Sequence, residues 1–326
     1  MEKLSPVVLD AFGISSRNIK REKGYYLVDA AKGLVKIHTT IELEEAINLQ
    51  HIIKEHLAAE GFPWTDRYYT AKTGQPYIMV GRETYVAKHQ PRGHYETDLE
   101  NELAVLQAFK MLGRFHMAAR GIGGNPAPVP LASSLPDIFA RQLSELNQAG
   151  KQARRGPRLS DFDVAFIKHA PSMAETIQCA IENLSATNYM KLFTNAITQG
   201  SLCHNAMKEE NLLFSSDSTY FIDFSKAAID LQLCDLAALI RRYAQRSSKS
   251  IPLNHLLNAY ESTMPLPHGV RAILHAQLIF PWAFVKLASQ YYSKKRNWTP
   301  NGLLSRMNAV LDEQKSYENY IAVANL

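Results

Sequence analysis

The stretch from Ser201 to Lys226, SLCHNAMKEENLLFSSDSTYFIDFSK, constrains the fold of this chain more than any other. His204 lies seven residues before Asn211, and Asp223 follows Asn211 by twelve residues. The residues between Asn211 and Asp223 predict a short β-hairpin. The sequence therefore predicts two loops joined by a hairpin, with one oxygen-bearing side chain on each loop.

Two loops of this kind are typical of the active sites of kinase-type phosphotransferases. There, an H-x-D-x-x-x-x-N loop supplies a catalytic base and a metal ligand, and a D-F-x turn supplies the second metal ligand. Asn211 and Asp223 match the two ligands, and their amide and carboxylate oxygens suit Mg²⁺. Ala206 stands where the base requires an aspartate. The alternative is that Asn211 caps the hairpin and Asp223 is an ordinary turn carboxylate.

Composition excludes several classes of protein. The chain has 326 residues, 46% of them hydrophobic and 21% charged, as in an ordinary globular protein. Its net charge of +5 is mild, and no basic run is interleaved with aromatic residues, so we expect no nucleic-acid partner. The most apolar segment, residues 276–285, is about half the length of a membrane span, and the first residues do not form a signal peptide. We therefore expect no membrane span.

Cysteine usage indicates a reducing compartment. Cys179, Cys203 and Cys234 are odd in number and far apart, so they support neither a disulfide framework nor a zinc site. We therefore expect synthesis in the cytoplasm.

The hydrophobic pattern divides the chain near residue 90. Residues 1–90 predict a small antiparallel sheet crossed by one helix, whereas residues 91–326 are mainly helical. Residues 90–93, Gln-Pro-Arg-Gly, break the pattern as a hinge between two lobes would. The basic segment 151–158 reads as a solvated link. The predicted strands cover residues 24–28, 33–38, 67–71, 76–80 and 84–88, and the predicted helices cover residues 7–14, 41–60, 99–119, 173–199, 235–245, 253–262, 269–293 and 301–322.

Several segments together resemble the CotS family of spore-coat proteins, which share the fold of aminoglycoside phosphotransferases and choline kinases. The resemblance extends over nearly the whole chain and implies an α+β, two-lobed, protein-kinase-like fold with a small antiparallel-sheet N-lobe and a large helical C-lobe. It also implies a spore-coat location after synthesis in the mother cell, other spore-coat proteins as partners, and ATP with Mg²⁺ as cofactors. The segments are YVAKHQPRG (85–93), LCHNAMKEENLLF (202–214), YFIDFSKAAID (220–230) and CDLAALIRRY (234–243).

The resemblance implies that Lys36, on a predicted strand, holds nucleotide phosphates. Its alternative is an exposed strand lysine. In kinases a helix glutamate orients this lysine, but the corresponding position here is about Gln50, which is neutral. Glu44, Glu45 and Glu55 lie nearby, and the sequence does not choose among these partners.

Five further residues receive roles by the same resemblance. Lys88, His89 and Gln90 are expected to offer backbone groups to an adenine ring. His204 and Asp235 are expected to brace the catalytic-type loop, although an aspartate in the first turn of a helix is also favourable in itself.

Three departures from the kinase pattern argue against efficient catalysis. Ala206 cannot deprotonate a substrate hydroxyl, and a positioned base contributes about 10²–10⁴-fold in rate. Ser225 and Lys226 follow Asp223-Phe224 where relatives often place another acidic residue. In addition, no glycine-rich loop precedes the first predicted strand. Glu209 and Glu210 lie close to position 206, but this loop normally directs those positions elsewhere.

The sequence thus predicts a spore-coat kinase-fold protein that is catalytically impaired and retains sites for a magnesium–nucleotide. One alternative is an active phosphotransferase that acts on a small molecule or a protein through another base, or that carries an introduced Ala206. Another is a scaffold that binds no nucleotide and uses its C-terminal aromatic residues as a partner surface, although such residues are more often core. No motif indicates a substrate.

Overall fold

The computed structural model describes residues 4–91, 95–96, 98–122, 129–155, 159–214, 218–247, 251–293 and 300–322. The chain forms two compact units. The first comprises Met1–Pro130, Thr198–Ile229 and Ala259–Met264, and the second comprises Leu131–Ile197, Asp230–Asn258 and Pro265–Leu326. The predicted division after residue 90 stays a prediction. Parts of the predicted hinge (92–93) and of the basic link (156–158) lie outside the described residues.

The first unit begins with an antiparallel sheet and two helices. Its elements are α1 (Pro6–Ala11), β1 (Ser16–Glu22), β2 (Tyr25–Ala30), β3 (Gly33–Thr40), α2 (Glu44–Ala59), β4 (Ile78–Val80) and β5 (Glu83–Gln90). The five strands pair in the order β1-β2-β3-β5-β4. Helix α2 ends before Gly61, which adopts a φ of 86° that favours glycine, as the sequence predicted.

The structure corrects two strand predictions. β1 was not predicted, because its sequence SRNIKRE contains one large apolar residue and therefore lacks an alternating pattern. It forms nonetheless by pairing with β2. Residues 67–71 were predicted as a strand but make only an isolated bridge, from Tyr68 to Lys88. Hydrogen bonds from Tyr69 N to Ala87 O and from His89 N to Arg67 O tie this segment to β5 without extending into a ladder.

The two faces of the sheet have different chemistry. Along β3, Val35 and Ile37 are fully buried in a core that also contains residues of α1, β2 and β5. Since successive side chains of a strand point to opposite faces, Lys36 and His38 lie on the other face. Helix α2 packs on that second face through Ile47, which contacts Val86 and Tyr68. The second face of the sheet therefore carries the positive charge of Lys36 beside the apolar contact of Ile47 with Val86 and Tyr68.

The predicted hairpin is confirmed in the same unit. The further elements are β6 (Tyr95–Glu96), α3 (Glu102–Ala118), β7 (Leu202–Cys203), β8 (Leu212–Phe214), β9 (Thr219–Phe221) and β10 (Ala228–Ile229). β8 and β9 pair in register from Leu212–Phe221 to Phe214–Thr219, and β7 pairs with β10. Phe221 packs on Phe62 and Phe115, which anchors the hairpin in an aromatic core.

The second unit is helical. Its helices are α4 (Leu135–Ala153), α5 (Asp161–Ser185), α6 (Tyr189–Thr198), α7 (Leu233–Arg246), α8 (Leu253–Glu261), α9 (Val270–Ile279), α10 (Trp282–Tyr292) and α11 (Pro300–Ala322). The final residues of α6 and α8 belong to the first unit.

Helix α4 and the first half of α5 were missed in the sequence. Both begin at a serine cap: Ser134 accepts a hydrogen bond from the Asp137 backbone, and Ser160 and Asp163 form a capping box. These caps were the available signal. Pro171 lies inside α5, where a proline usually ends a helix, and the prediction began the helix after it.

The predicted helix over residues 269–293 is two helices, α9 and α10, separated near Pro281. The ring centres of Phe280 and Phe139 lie 4.3 Å apart in a stacked contact, and those of Phe284 and Phe166 lie 5.7 Å apart. Phe280 and Phe284 are both buried. These two side chains are core and not a partner surface.

Within the described parts of the chain, no single helix is both long and apolar enough to cross a membrane. The pair α9 and α10, bent by 41°, passes the same test of length and composition only when taken together.

Candidate functional site

The two loops of the Ser201–Lys226 stretch are fastened to each other by His204. This residue follows β7, is fully buried, and its Nε2 lies 2.9 Å from the carbonyl oxygen of Ile222. Its ring lies 4.6 Å from that of Phe224, on the far side of Asp223 in sequence. His204 thus contacts the second loop through a hydrogen bond and a ring contact, as a bracing residue would.

Position 206 takes part in the hydrogen bonds of its loop through its backbone, since its side chain is a methyl group. The carbonyl oxygen of Ala206 accepts hydrogen bonds from the Asn211 Nδ2 at 3.0 Å and from the Lys208 backbone at 2.9 Å. Asn211 is buried, and its backbone oxygen accepts from Ile222 N at 3.0 Å. Because the amide nitrogen of Asn211 is used inside the loop, its side-chain oxygen is the atom left for a ligand.

Asp223 adopts a backbone conformation that non-glycine residues rarely take. Its φ is 61°, and its Oδ1 accepts a hydrogen bond from Ser225 N at 3.3 Å. Such conformations cost of order 1–3 kcal/mol and cluster at functional sites. Lys226, which would weaken a metal site if it pointed inward, is exposed and does not line the cleft described next.

A cleft of about 360 Å³ lies beside Asp223, and all its lining residues belong to the first unit. This volume is within the range of small-molecule sites. The lining includes Lys36, His38, Asp66, Lys88 and Asp223. The cleft therefore joins the cationic face of the sheet to one of the two predicted metal ligands.

The structure pairs Lys36 with none of the carboxylates considered from the sequence. Its ammonium lies 4.6 Å from the centre of the Tyr25 ring, and among the described residues no carboxylate lies within 4 Å of it. Gln50 Nε2 donates to Glu42 Oε1 at 3.0 Å. Of the other candidates, Glu44 accepts from Tyr77 Oη, and Glu55 forms an ion pair with Arg67.

A buried ion-pair network that was not predicted from the sequence lies beside Lys36. Lys54 has no exposed side-chain surface, and its Nζ lies 2.7 Å from Asp66 Oδ1. Lys88 Nζ lies 3.6 Å from Asp66 Oδ2, so one carboxylate serves two ammonium groups. The available signal was the position of Lys54 on the apolar stripe of α2, seven residues after Ile47 and three before Leu57.

Burial and the shared carboxylate set the electrostatics of this network. Burial lowers the pKa of Lys54 to about 8, although Asp66 opposes that shift. Burial would also lower the pKa of Lys88, but Asp66, Tyr68 and Glu42 together outweigh it, and the net pKa is raised. The two ammonium groups outweigh burial at Asp66, whose pKa is lowered. The pKa of His38 is lowered to about 4 by burial and by the adjacent lysines, so this imidazole is neutral at pH 7.

The remaining predicted site residues lie in regular elements. Lys88, His89 and Gln90 are the last residues of β5, where His89 N already donates to Arg67 O. Contacts of their other backbone groups with adenine stay a prediction. Asp235 is fully buried in the first turn of α7, in the second unit, and its bracing of the loop also stays a prediction.

The donor set suits a hard cation held together with phosphate oxygens. Among the residues that the structure describes, no group of three His, Cys, Asp or Glu side chains could hold a metal by itself. Asn211 and Asp223 offer two oxygen ligands, and Mg²⁺ usually binds to one or two protein groups while water and phosphates complete its shell. The residues present therefore fit Mg²⁺ in company with a phosphate-bearing ligand.

Several solved structures that are similar to this chain are described as phosphotransferases or kinases. An aminoglycoside phosphotransferase from Alicyclobacillus acidocaldarius is similar over 100% of this chain and 96% of its own, with a TM-score of 0.82 and 17% identity. A spectinomycin phosphotransferase solved with AMP covers 97% of this chain and 96% of its own, with a TM-score of 0.67 and 14% identity. A choline kinase from Streptococcus pneumoniae covers 95% and 98%, with a TM-score of 0.51 and 11% identity. The chain thus has the kinase-like aminoglycoside phosphotransferase fold, as predicted.

The chain belongs to the family described as "Spore coat putative kinase YutH", whose model matches residues 6–324. It is also similar to spore coat protein S of Bacillus subtilis (strain 168), with 24% identity over 270 residues that cover 80% of this chain and 76% of the relative. The predicted resemblance to CotS-type spore-coat proteins is confirmed, and with it the spore-coat location at the level of the family.

Proposed function

We propose that this protein is a kinase-fold component of the spore coat that binds ATP with Mg²⁺ and is impaired in phosphoryl transfer at position 206. The observation that carries the proposal is the hydrogen bond from the Asn211 amide to the Ala206 carbonyl, at 3.0 Å. A catalytic-type loop is built around a residue that has no acid–base group. Under this proposal, Asn211 and Asp223 account for binding, and Ala206 accounts for the impaired catalysis.

The binding half of the proposal rests on the cleft and on Asn211, whose backbone oxygen accepts a hydrogen bond from Ile222 of the cleft lining. Asn211 and Asp223 would supply oxygen ligands, and Lys36, which lines the cleft with Asp223, would supply a positive charge. Mg²⁺ held by Asn211 and Asp223 would supply positive charge that offsets the charge of the phosphates. Lys36, Asn211 and Asp223 would thus bind the phosphates and hold them in a fixed orientation, as phosphoryl transfer requires.

The proposed impairment rests on Ala206, whose methyl side chain has no acid–base group. Glu209 and Glu210 form a short 3-10 turn with Asn211, and Glu210 lies 3.3 Å from the ammonium of Lys208. The Glu210 carboxylate is thus engaged with Lys208. A chain without the base is expected to lose about 10²–10⁴-fold in rate.

Other spore-coat proteins are the proposed partners, because the family and the Bacillus relative are both described as spore coat. A small-molecule substrate is supported by the phosphotransferase fold but has no identified residue set. Co-purification of tagged chain with other coat proteins from sporulating cells tests the first point, and recovery of no coat protein would contradict it.

Nucleotide binding is tested by the melting temperature with and without ATP and Mg²⁺. A ligand at 100 times its dissociation constant stabilises the folded state by about 2.7 kcal/mol. Asp223→Ala is expected to remove the part of the shift that depends on Mg²⁺. Asp10→Ala, which removes an exposed carboxylate paired with Lys72, is the matched control and should leave the shift intact. No shift of the unaltered chain at millimolar nucleotide would contradict the proposal.

Impaired catalysis is tested by Ala206→Asp in an ATPase and phosphotransfer assay. The variant is expected to gain about 10²–10⁴-fold over the parent. Ala206→Asn has the same size without a base and should gain nothing. A parent that already turns over ATP at about 1–100 s⁻¹, as active kinases do, is an active phosphotransferase with another base, and the impairment would be wrong.

A further inference from the structure

Two lysines lie directly opposite each other on the cationic wall of the cleft. Lys36 of β3 and Lys88 of β5 are partners in the antiparallel ladder, and both line the cleft beside Asp223. Like charges that face each other across a pair of strands destabilise a sheet. This juxtaposition therefore costs folding free energy unless an anion offsets it.

The protein offsets only part of this positive charge. Asp66 lies 2.7 Å from Lys54 and 3.6 Å from Lys88. Among the described residues, no other carboxylate lies within 4 Å of these two ammonium groups or of Lys36. Glu42 also lines the cleft, but its Oε1 accepts a hydrogen bond from Gln50. Lys54 and Lys88 thus share one close carboxylate, whereas no described carboxylate lies within 4 Å of Lys36.

The electrostatic cost falls on Lys36. Burial lowers the pKa of Lys36, the charge of Lys88 lowers it further, and Asp66 only partly compensates. A phosphate group near both lysines would reverse this effect, because an opposite charge within about 4–6 Å favours the charged form. Lysine suits such a contact, since it is a mobile point charge with three donors.

We propose that Lys88, positioned by Asp66, forms with Lys36 a two-lysine contact for the phosphate groups of the ligand in this cleft. Asp66, which comes from the segment after α2, takes the orienting role that a helix carboxylate has in kinases, and Gln50 takes no part in it. The inference deepens the proposed function and rests on it for the nucleotide. The phosphate chemistry itself is shared by nucleotides and inorganic polyphosphate.

The test compares the dissociation constants of three probes by calorimetry: ADP with Mg²⁺, inorganic tripolyphosphate, and adenosine. For Lys88→Met we expect binding of both phosphate probes to weaken about tenfold or more, which corresponds to about 1.4 kcal/mol. Adenosine binding should be unchanged, since adenosine has no phosphate. Lys88→Arg keeps the charge and should retain phosphate binding. Lys72→Met, which removes an exposed lysine of the same unit, is the control without effect.

Asp66→Asn tests the positioning role. We expect phosphate binding to weaken while adenosine binding is kept, a split that a general loss of structure would not produce. The proposal is overturned if Lys88→Met binds ADP within twofold of the parent, or if it weakens adenosine as much as ADP.

The two proposals fail in different ways. If the parent chain binds no ADP, the nucleotide function is wrong, but tripolyphosphate binding that depends on Lys88 still supports the two-lysine contact. If neither phosphate probe binds to the parent chain, the two-lysine contact is wrong as well.

Discussion

Replacing Asp66 with asparagine removes the carboxylate that two buried ammonium groups share. The variant keeps nearly the same shape and loses only the charge. Lys54 has no exposed surface, so it cannot reach water without local unfolding. Lys88 is 14% exposed and is less constrained. The main consequence is therefore a buried, uncompensated charge at Lys54.

The expected loss of stability at pH 7 is about 3–5 kcal/mol, the usual cost of breaking a buried ion pair from one side. For a unit of this size, a loss of that kind lowers the melting temperature by about 10 °C. The double variant Lys54→Met/Asp66→Asn removes both charges of the pair and should recover much of the loss, because an apolar side chain of similar length fills the same space. The coupling free energy of this cycle should exceed about 1 kcal/mol.

The pH dependence gives the prediction a second signature. The pKa of Lys54 is lowered to about 8 in the folded state, from 10.5 when unfolded. The unfolded chain therefore binds a proton that the folded chain lacks between about pH 8 and 10.5, and stability rises with pH in that window. Without Asp66 the pKa of Lys54 falls further, so the window begins at lower pH. The difference in stability between the variant and the parent should shrink from pH 7 to pH 9.

The assay is urea denaturation at both pH values, combined with amide hydrogen exchange of β3 and β5, because a chain of two units need not unfold in one step. Asp10→Asn is the matched control. Asp10 and Lys72 also lie 2.7 Å apart, but their side chains are 79% and 62% exposed, so the change should stay below about 1 kcal/mol. A loss of less than 1 kcal/mol for Asp66→Asn at pH 7, or a difference that does not depend on pH, would refute the reasoning.

Two further predictions concern stability away from the cleft. Burial raises the pKa of Asp230 to about 6 from 3.8, so its contribution to stability is favourable at low pH and is lost as pH rises through 6. Asp230→Asn should therefore stabilise the fold by up to about 3 kcal/mol at pH 7.5 and by little at pH 4. Equal shifts in melting temperature at both pH values would contradict this. In α3, a Cβ on Gly113 would lie 2.2 Å from Thr263 Oγ1 and 2.7 Å from Tyr260 O, so Gly113→Ala should destabilise by about 1–3 kcal/mol in chemical denaturation. Gly150→Ala, whose nearest atom would be 3.5 Å away, should stabilise α4 by up to about 1 kcal/mol, and a gain at both glycines would contradict the packing argument.

Signals that lie close together along the chain were readable in the sequence. The His204 bond to Ile222 and the Asn211 bond to Ala206 join residues within one stretch, so their spacing already encodes the geometry. The same holds for the hairpin of β8 and β9, whose strands are adjacent in sequence. The missed helix α4 also had a local signal, the cap at Ser134. In α5 the signal was harder to read, because Pro171 lies inside the helix.

The sequence by itself determined the family, the fold and the two loops that carry Asn211 and Asp223, because short-range hydrogen bonds and segment order define them. Only the tertiary structure decided which charges meet in the cleft. Lys54, Asp66 and Lys88 come from a helix, the segment that follows it and a strand, and no local pattern relates them. Burial then selects their partners, because an ammonium removed from water is stable only beside a carboxylate.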